Sequence, residues 1–225
     1  MYSRELDGEL LDLGVSGKLW NGVLVMFDRQ SDSLWTQVDG RAIQGERSGA
    51  RLAHRDSVFT DWATWLAAHP DTLVLQKEED EREQAASHYA DYFADPERVF
   101  FPELSEGLGG IGPKDVVFGL RVGDDALGVE EELLVRKGLV SAVVGGRPVT
   151  LVRDADTGFV LAFERRLGER TLFPVLIPGT SPLDELYDPD GLAPFRPREL
   201  PGVRVDRAYW YAFSKSFPDA AVLVD

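Results

Sequence analysis

The sequence predicts an α+β, β-dominated protein made of antiparallel meanders in two degenerate repeats, each ending in a short tryptophan-containing helix and a strand. Three observations carry this reading. Asp-Gly and Asn-Gly pairs punctuate short apolar runs in the first third of the chain, one stretch near position 62 is echoed near the C-terminus, and helical apolar spacing is scarce. A chain of 225 residues with 44% hydrophobic content can bury a sizeable core, as one β-rich domain or as two small ones.

Taken in order, YSREL-DG-ELLDL, GKLW-NG-VLVMF and SLWTQV-DG-RAIQ each read as a hairpin, because both central residues of such a turn must tolerate positive φ. The same grammar returns in VVFGLRV-GDD-ALGV and SAVV-GG-RPVTLV, and the turn DADTG precedes FVLAFER. One helix is expected from Glu130 to Lys137, and one in each copy of the repeated stretch.

That stretch is TDWATWLAAHPDTLVL in the first copy and AYWYAFSKSFPDAAVLVD in the second. Trp62, Trp65, Leu66 and His69 fall at i, i+3, i+4 and i+7 before Pro70, and Trp210, Phe213 and Phe217 occupy equivalent places before Pro218. A constant offset, from 62 to 210, also matches Asp71 with Asp219, Val74 with Val222 and Leu75 with Leu223. Weaker echoes pair Asp39-Gly40 with Asp190-Gly191, and Tyr2, Arg4 and Leu6 with Phe163, Arg165 and Leu167. The expected division is copy one at 1–75, an aromatic and acidic linker at 76–112, and copy two at 113–225. Both Trp62 and Trp210 are expected in the core. Copy two has a preamble from Pro113 to Ala162 without a counterpart in copy one, so copy one is expected to be N-terminally incomplete.

A net charge of -15 and a pI near 4.6 disfavour nucleic acid and anionic lipid as partners. Only five of the 24 basic residues are lysine, which fits a carboxylate-solvated surface, as in a halophile, or a GC-rich genome. No run of eighteen apolar residues exists, so no membrane insertion is expected of this chain. The start, MYSRELDGELLDL, has neither a basic region nor an apolar stretch, so the chain as written reads as cytoplasmic. With no cysteine there is no disulfide, thiolate metal site or cysteine nucleophile.

GLGGIG at 107–112 has dinucleotide-binding glycine spacing, but Pro113-Lys114-Asp115 leads into a strand instead of a helix, so it reads as a linker loop. GRAIQGERSG has phosphate-loop spacing with Glu46 where lysine must stand, and a carboxylate there repels phosphate. Of the histidines, His54, His69 and His88, none pairs with another at metal-ligand spacing, and His54 is only a weak metal candidate. Asn21 is explained by its Asn-Gly turn. No cofactor is evident.

The candidate ligand-binding cluster is FDRQSDSLWTQ, where Asp28, Arg29, Ser33, Trp35 and Gln37 gather a carboxylate, a guanidinium, a hydroxyl, an indole and an amide in one hairpin. Alternation places Ser33, Trp35 and Gln37 on one face. One reading is recognition of a small polar ligand. The other has Trp35 plugging the core while the polar groups bind turns.

GVSGKLWNGVLVMFDRQSDSLWTQVDGRAIQGERSGARL, the W-x-x-W-x-x-x-HPDT helix, HYADYFADPERVFFPE and PKDVVFGL together resemble the bacterial and archaeal domain of unknown function 3179 family. The likeness is strongest from Gly14 to Leu75 and weakest from Arg166 to Val205. It implies an upstream segment with a Tyr-Cys-Pro-Leu-Cys-Gly motif, and relatives that are often exported or envelope-associated. The expected function is a non-catalytic module that binds a small molecule or protein, or serves as a scaffold. The alternative is a metal- or thiol-dependent envelope protein whose cysteine segment lies outside this chain.

Overall fold

The computed structural model describes residues 1–55, 60–74, 89–106 and 108–224; Leu75, His88, Gly107 and the opening of the expected linker lie outside them. The described residues are β-dominated, with seventeen strands and four short α-helices.

The first half opens with a small hairpin, β1 (Glu5–Leu6) and β2 (Glu9–Leu10). A four-stranded antiparallel meander follows: β3 (Leu13–Trp20), β4 (Val23–Asp28), β5 (Leu34–Thr36) and β6 (Ala42–Gln44). The β3–β4 turn is made by Asn21 and Gly22, both at positive φ (51° and 74°), as its sequence requires. Asn21 does more than turn the chain, because its Nδ2 donates to Lys215 O at 2.8 Å and ties the meander to the C-terminal helix. Leu11, Trp35, Ala42 and Leu52 form the small core beneath this sheet. The chain then enters α1 (Trp62–Ala68).

Between the halves lie α2 (Ala90–Ala94) and a 3₁₀ turn at Pro102–Ser105, neither read from the sequence. The ring of Tyr92 stacks on Phe100 at 4.4 Å, and Lys114 is buried with its ammonium 3.9 Å from the Tyr92 ring centroid. Its Nζ donates to Tyr92 O and, at 2.6 Å, to Asp95 O, so a buried cation is satisfied by carbonyls at the end of α2. Leu108 and Ile111 of the glycine-rich stretch pack on the core, and the following residues run into a strand as expected.

The second half contains β7 (Val116–Val122), β8 (Asp125–Glu130), α3 (Glu131–Lys137), β9 (Leu139–Val144), β10 (Arg147–Arg153) and β11 (Val160–Glu164). Short hairpins follow as β12 (Arg166–Leu167) with β13 (Arg170–Thr171), and β14 (Leu186–Asp188) with β15 (Ala193–Phe195). Last come β16 (Arg204–Tyr209), α4 (Trp210–Ser216) and β17 (Ala221–Leu223). β9, β10 and β11 form an antiparallel sheet, and its residues join Phe118, Leu120, Leu127, Val129, Leu133 and Leu134 in the largest core.

The other sheet has the order β16-β7-β8-β17. Because β16 is antiparallel to β7 and β17 is parallel to β8, α4 is a crossover helix that must pass over β7 and β8. Strand period therefore matters here: Phe118 and Leu120 face the large core, while Val117 and Gly119 face α4. Trp210 (3% exposed) and Phe213 (0%) are buried on that face.

The expectation that Trp62 is also in the core is corrected: it is 51% exposed, and no residue of α1 is buried. Helical periodicity names the apolar face of a segment but not what lies beneath it.

The two halves nevertheless share backbone hydrogen bonds at matching positions. Leu11 N to Arg4 O (2.7 Å) has a counterpart in Leu172 N to Arg165 O (2.9 Å). Ser3 N to Ala53 O and Arg55 N to Met1 O are matched by Glu164 N to Pro201 O and Val203 N to Ala162 O. The antiparallel bridge between Tyr2 and His54 likewise has its match between Phe163 and Gly202. After the helices, His69 N to Trp65 O and Thr72 N to His69 O recur as Phe217 N to Phe213 O and Ala220 N to Phe217 O.

Candidate functional site

The β4–β5 hairpin is built around Asp28, a fully buried carboxylate. Its Oδ1 accepts from Ser31 N (2.7 Å) and Ser31 Oγ (2.8 Å), and its Oδ2 accepts from Trp35 Nε1 at 2.8 Å. Ser33 Oγ lies 2.7 Å from Ser31 Oγ and accepts from Arg47 N, whose side chain reaches Glu9 at 2.5 Å and stands 3.7 Å from Asp28. Burial pushes the Asp28 carboxyl up, yet the bonds from Trp35 and Ser31 and the Arg47 charge outweigh it, holding it below the ordinary carboxylate range.

Asp28, Ser33 and Trp35 are thus brought together, facing inward and toward one another. Arg29 is not with them: it pairs with Asp12 on the surface and lies 5.3 Å over the Phe27 ring. Gln37 also leaves the cluster. Strand β5 stops at Thr36, so the alternation expected to carry Ser33, Trp35 and Gln37 on one face ends one residue early, and Gln37 is exposed.

The same turn recurs in the other half. Asp154 Oδ1 accepts from Asp156 N, Thr157 N and Thr157 Oγ1, its Oδ2 accepts from Ser181 Oγ, and Gly158 N donates to Asp154 O as Asp32 N does to Asp28 O. Asp32 and Gly158 both hold positive φ, 53° and 71°. An aspartate that accepts from backbone two and three residues on is a turn-building device wherever it occurs.

Gln37 instead lines a cavity of about 800 Å³ between the first meander and strand β16. Val23, Leu24, Val38, Phe118 and Val205 supply apolar wall, and Gln37, Arg153, Tyr209 and Tyr211 supply polar groups. Its carboxylates are engaged: Glu131 receives both Nε and Nη2 of Arg207 at 2.8 Å, Asp206 receives Arg204, and Asp61 caps α1 through Thr64 N at 2.9 Å. Among the described residues, the Gln37 amide and the Arg153 guanidinium have no hydrogen-bond or ion-pair partner.

One end of this seam is fastened by Arg204. Its Nη2 donates to Tyr2 Oη (2.5 Å) and Val38 O (2.8 Å), and Nε and Nη2 hold Asp206 at 2.8 and 3.0 Å. Burial raises the Tyr2 hydroxyl above its ordinary pKa against the opposing Arg204 charge, and burial lowers the neighbouring Arg121 guanidinium. Neither Arg153 nor Arg204 was read from the sequence. Their partners or neighbours are far along the chain, and no local spacing announces them.

His54 sits edge-on to Tyr2 at 6.1 Å between ring centres, and His69 packs on Trp65 at 4.2 Å. Among the described residues no group of three or more His, Asp or Glu gathers as a metal site, and no helix is long and apolar enough to cross a membrane.

The profile of a family described as "Protein of unknown function (DUF3179)" matches residues 1–220. No curated protein and no solved structure matches the chain.

Proposed function

Since the chain belongs to the DUF3179 family, whose description assigns no function, we propose from its geometry that it is a non-catalytic binding module for a small carboxylate with an apolar body. The observation that carries this reading is the cavity of about 800 Å³ into which Gln37 and Arg153 bring side-chain groups that have no hydrogen-bond partner among the described residues. That volume is typical of small-molecule sites, which combine apolar walls with a few convergent polar groups. An arginine with no carboxylate partner among the described residues, in a chain of net charge -15, favours an anionic ligand end, and the amide of Gln37 suits a second acceptor or donor. Catalysis is disfavoured because the acids lining the space are already committed to Arg207, Arg204 and the α1 cap. Of the five candidate ligand residues, Gln37 keeps that role here, and Asp28, Ser33 and Trp35 are assigned to holding the hairpin.

A library of small aliphatic and aromatic carboxylates, screened by ligand-observed NMR, tests the proposal. Hits are expected whose affinity falls about 10- to 100-fold in Arg153→Gln, the loss of one charge-assisted hydrogen bond, and less in Gln37→Ala. The absence of binding at millimolar concentration, or hits that both variants retain, overturns it.

A further inference from the structure

We propose that the occupant of the cavity beside β16 is an aromatic carboxylate with a hydroxyl group on its ring, and that Tyr209 is the residue that selects it; this rests on the carboxylate site proposed above. Tyr209 and Tyr211 both line the space, with ring centres 6.2 Å apart and planes 26° from parallel. Near-parallel rings at that separation are offset, so neither covers the whole face of the other.

The two phenols are held differently. Tyr211 is buried: its hydroxyl hydrogen-bonds that of Tyr92, and a methyl group on Gly22 would lie 2.8 Å from its Cε2. Tyr209 is half-buried, and among the described residues its hydroxyl has no partner. Tyr211 is thus engaged by the fold, and Tyr209 keeps a phenol for a ligand. The backbone beneath both is fixed, because Tyr209 pairs with Val116 in the sheet, Trp210 N donates to Asp115 O at 2.8 Å and Tyr211 N donates to Pro113 O at 2.9 Å. A wall fixed before binding lowers the ordering cost of the complex.

Small residues leave room beside these rings: Gly22, Gly158, Ala208 and Ala212 all line the cavity. A flat ring set against tyrosine gains more than the burial of its area, a gain that a saturated ring of the same size lacks. A tyrosine hydroxyl without a partner suits a ring hydroxyl, to which it can donate or from which it can accept. The carboxylate is then held by Arg153 at the end of β10, and the ring lies beside the start of α4.

The probes are benzoate, 3-hydroxybenzoate, 4-hydroxybenzoate and cyclohexanecarboxylate, each titrated against the whole chain and followed by NMR. Benzoate should bind about 2- to 10-fold tighter than cyclohexanecarboxylate, the gain from ring-on-ring contact. At least one hydroxybenzoate should bind tighter again by a similar factor, the worth of one neutral hydrogen bond. Tyr209→Phe should erase only the hydroxyl preference and Tyr209→Leu both preferences, with circular dichroism confirming that each variant is folded, while Arg153→Gln weakens all four acids alike. Equal binding of benzoate and cyclohexanecarboxylate overturns the proposal and leaves the carboxylate site standing. So does the absence of gain from either hydroxyl position, and so do preferences that Tyr209→Leu leaves intact. If none of the four acids binds, or all of them ignore Arg153→Gln, the carboxylate site itself falls and the aromatic preference with it.

Discussion

Helices α1 and α4 are seven residues each, share a tryptophan at their first position and a proline just past their end, and adopt matching terminal dihedrals. Their supports are opposite. Helix α4 buries Trp210, Tyr211, Ala212 and Phe213 and has no side-chain N-cap. Helix α1 has no fully buried residue; Asp61 accepts from Thr64 N and Oγ1, and Trp65 Nε1 donates to Thr72 Oγ1 at 2.9 Å. Seven residues are too few to hold a helix by propensity alone. Local sequence therefore sets the form of both helices, while tertiary packing secures one and polar local bonds secure the other.

The largest expected effect breaks the pair apart. Phe213→Ala removes a fully buried ring beside Gly119 and should cost about 3–5 kcal/mol. Trp62→Ala should stay within about 0.5 kcal/mol, as for a surface position. Urea denaturation of both variants measures this. Equal losses would mean that α1 is covered in solution.

A smaller effect concerns the two aspartate turns, which again share form but differ in support. Asp28 is tied by Trp35, Ser31 and the Arg47 charge, and Asp154 by Ser181 and Thr157. In both cases burial raises the carboxyl but the hydrogen bonds win, so the folded pKa lies below the ordinary value. A depressed carboxylate contributes stability that is present above the unfolded pKa of about 3.9 and is lost as pH falls through the folded one. Asp28→Asn and Asp154→Asn should each lower Tm clearly at pH 7 and progressively less below about pH 4. Melting curves from pH 7 to pH 3 check it, and a Tm difference that does not shrink in acid would assign the loss to packing.

These contrasts show which parts of the molecule the sequence carries. Turns were legible because backbone sterics act over two residues: Asp7-Gly8, Asn21-Gly22 and Gly145-Gly146 all hold positive φ where hairpins were expected. Helix bounds were legible because Pro70 and Pro218 act locally. Burial was not: the same spacing buries Trp210 against a sheet and leaves Trp62 half exposed, since the strands that α4 packs on are set by chain segments far away. The candidate cluster split for a related reason. Asp28, Ser33 and Trp35 are joined by bonds within one hairpin, whereas Gln37 is placed by the end of β5 and by a cavity whose opposite wall is β16. Tyr2 and Arg204 meet across the whole chain, beyond the reach of any motif.

The smallest expected effect isolates the cap. In Asp61→Ala the Thr64 amide loses its acceptor, and α1 has no buried residue to compensate, which leaves local contacts such as the Trp65–Thr72 bond and the Trp65–His69 ring packing. Amide hydrogen exchange across residues 62–68 should then speed up while residues 210–216 keep their protection and the global Tm stays put, because no α1 residue belongs to the four cores of the described residues. Loss of protection in both helices would instead mean that they unfold as one unit, and the difference in their supports would have no energetic meaning.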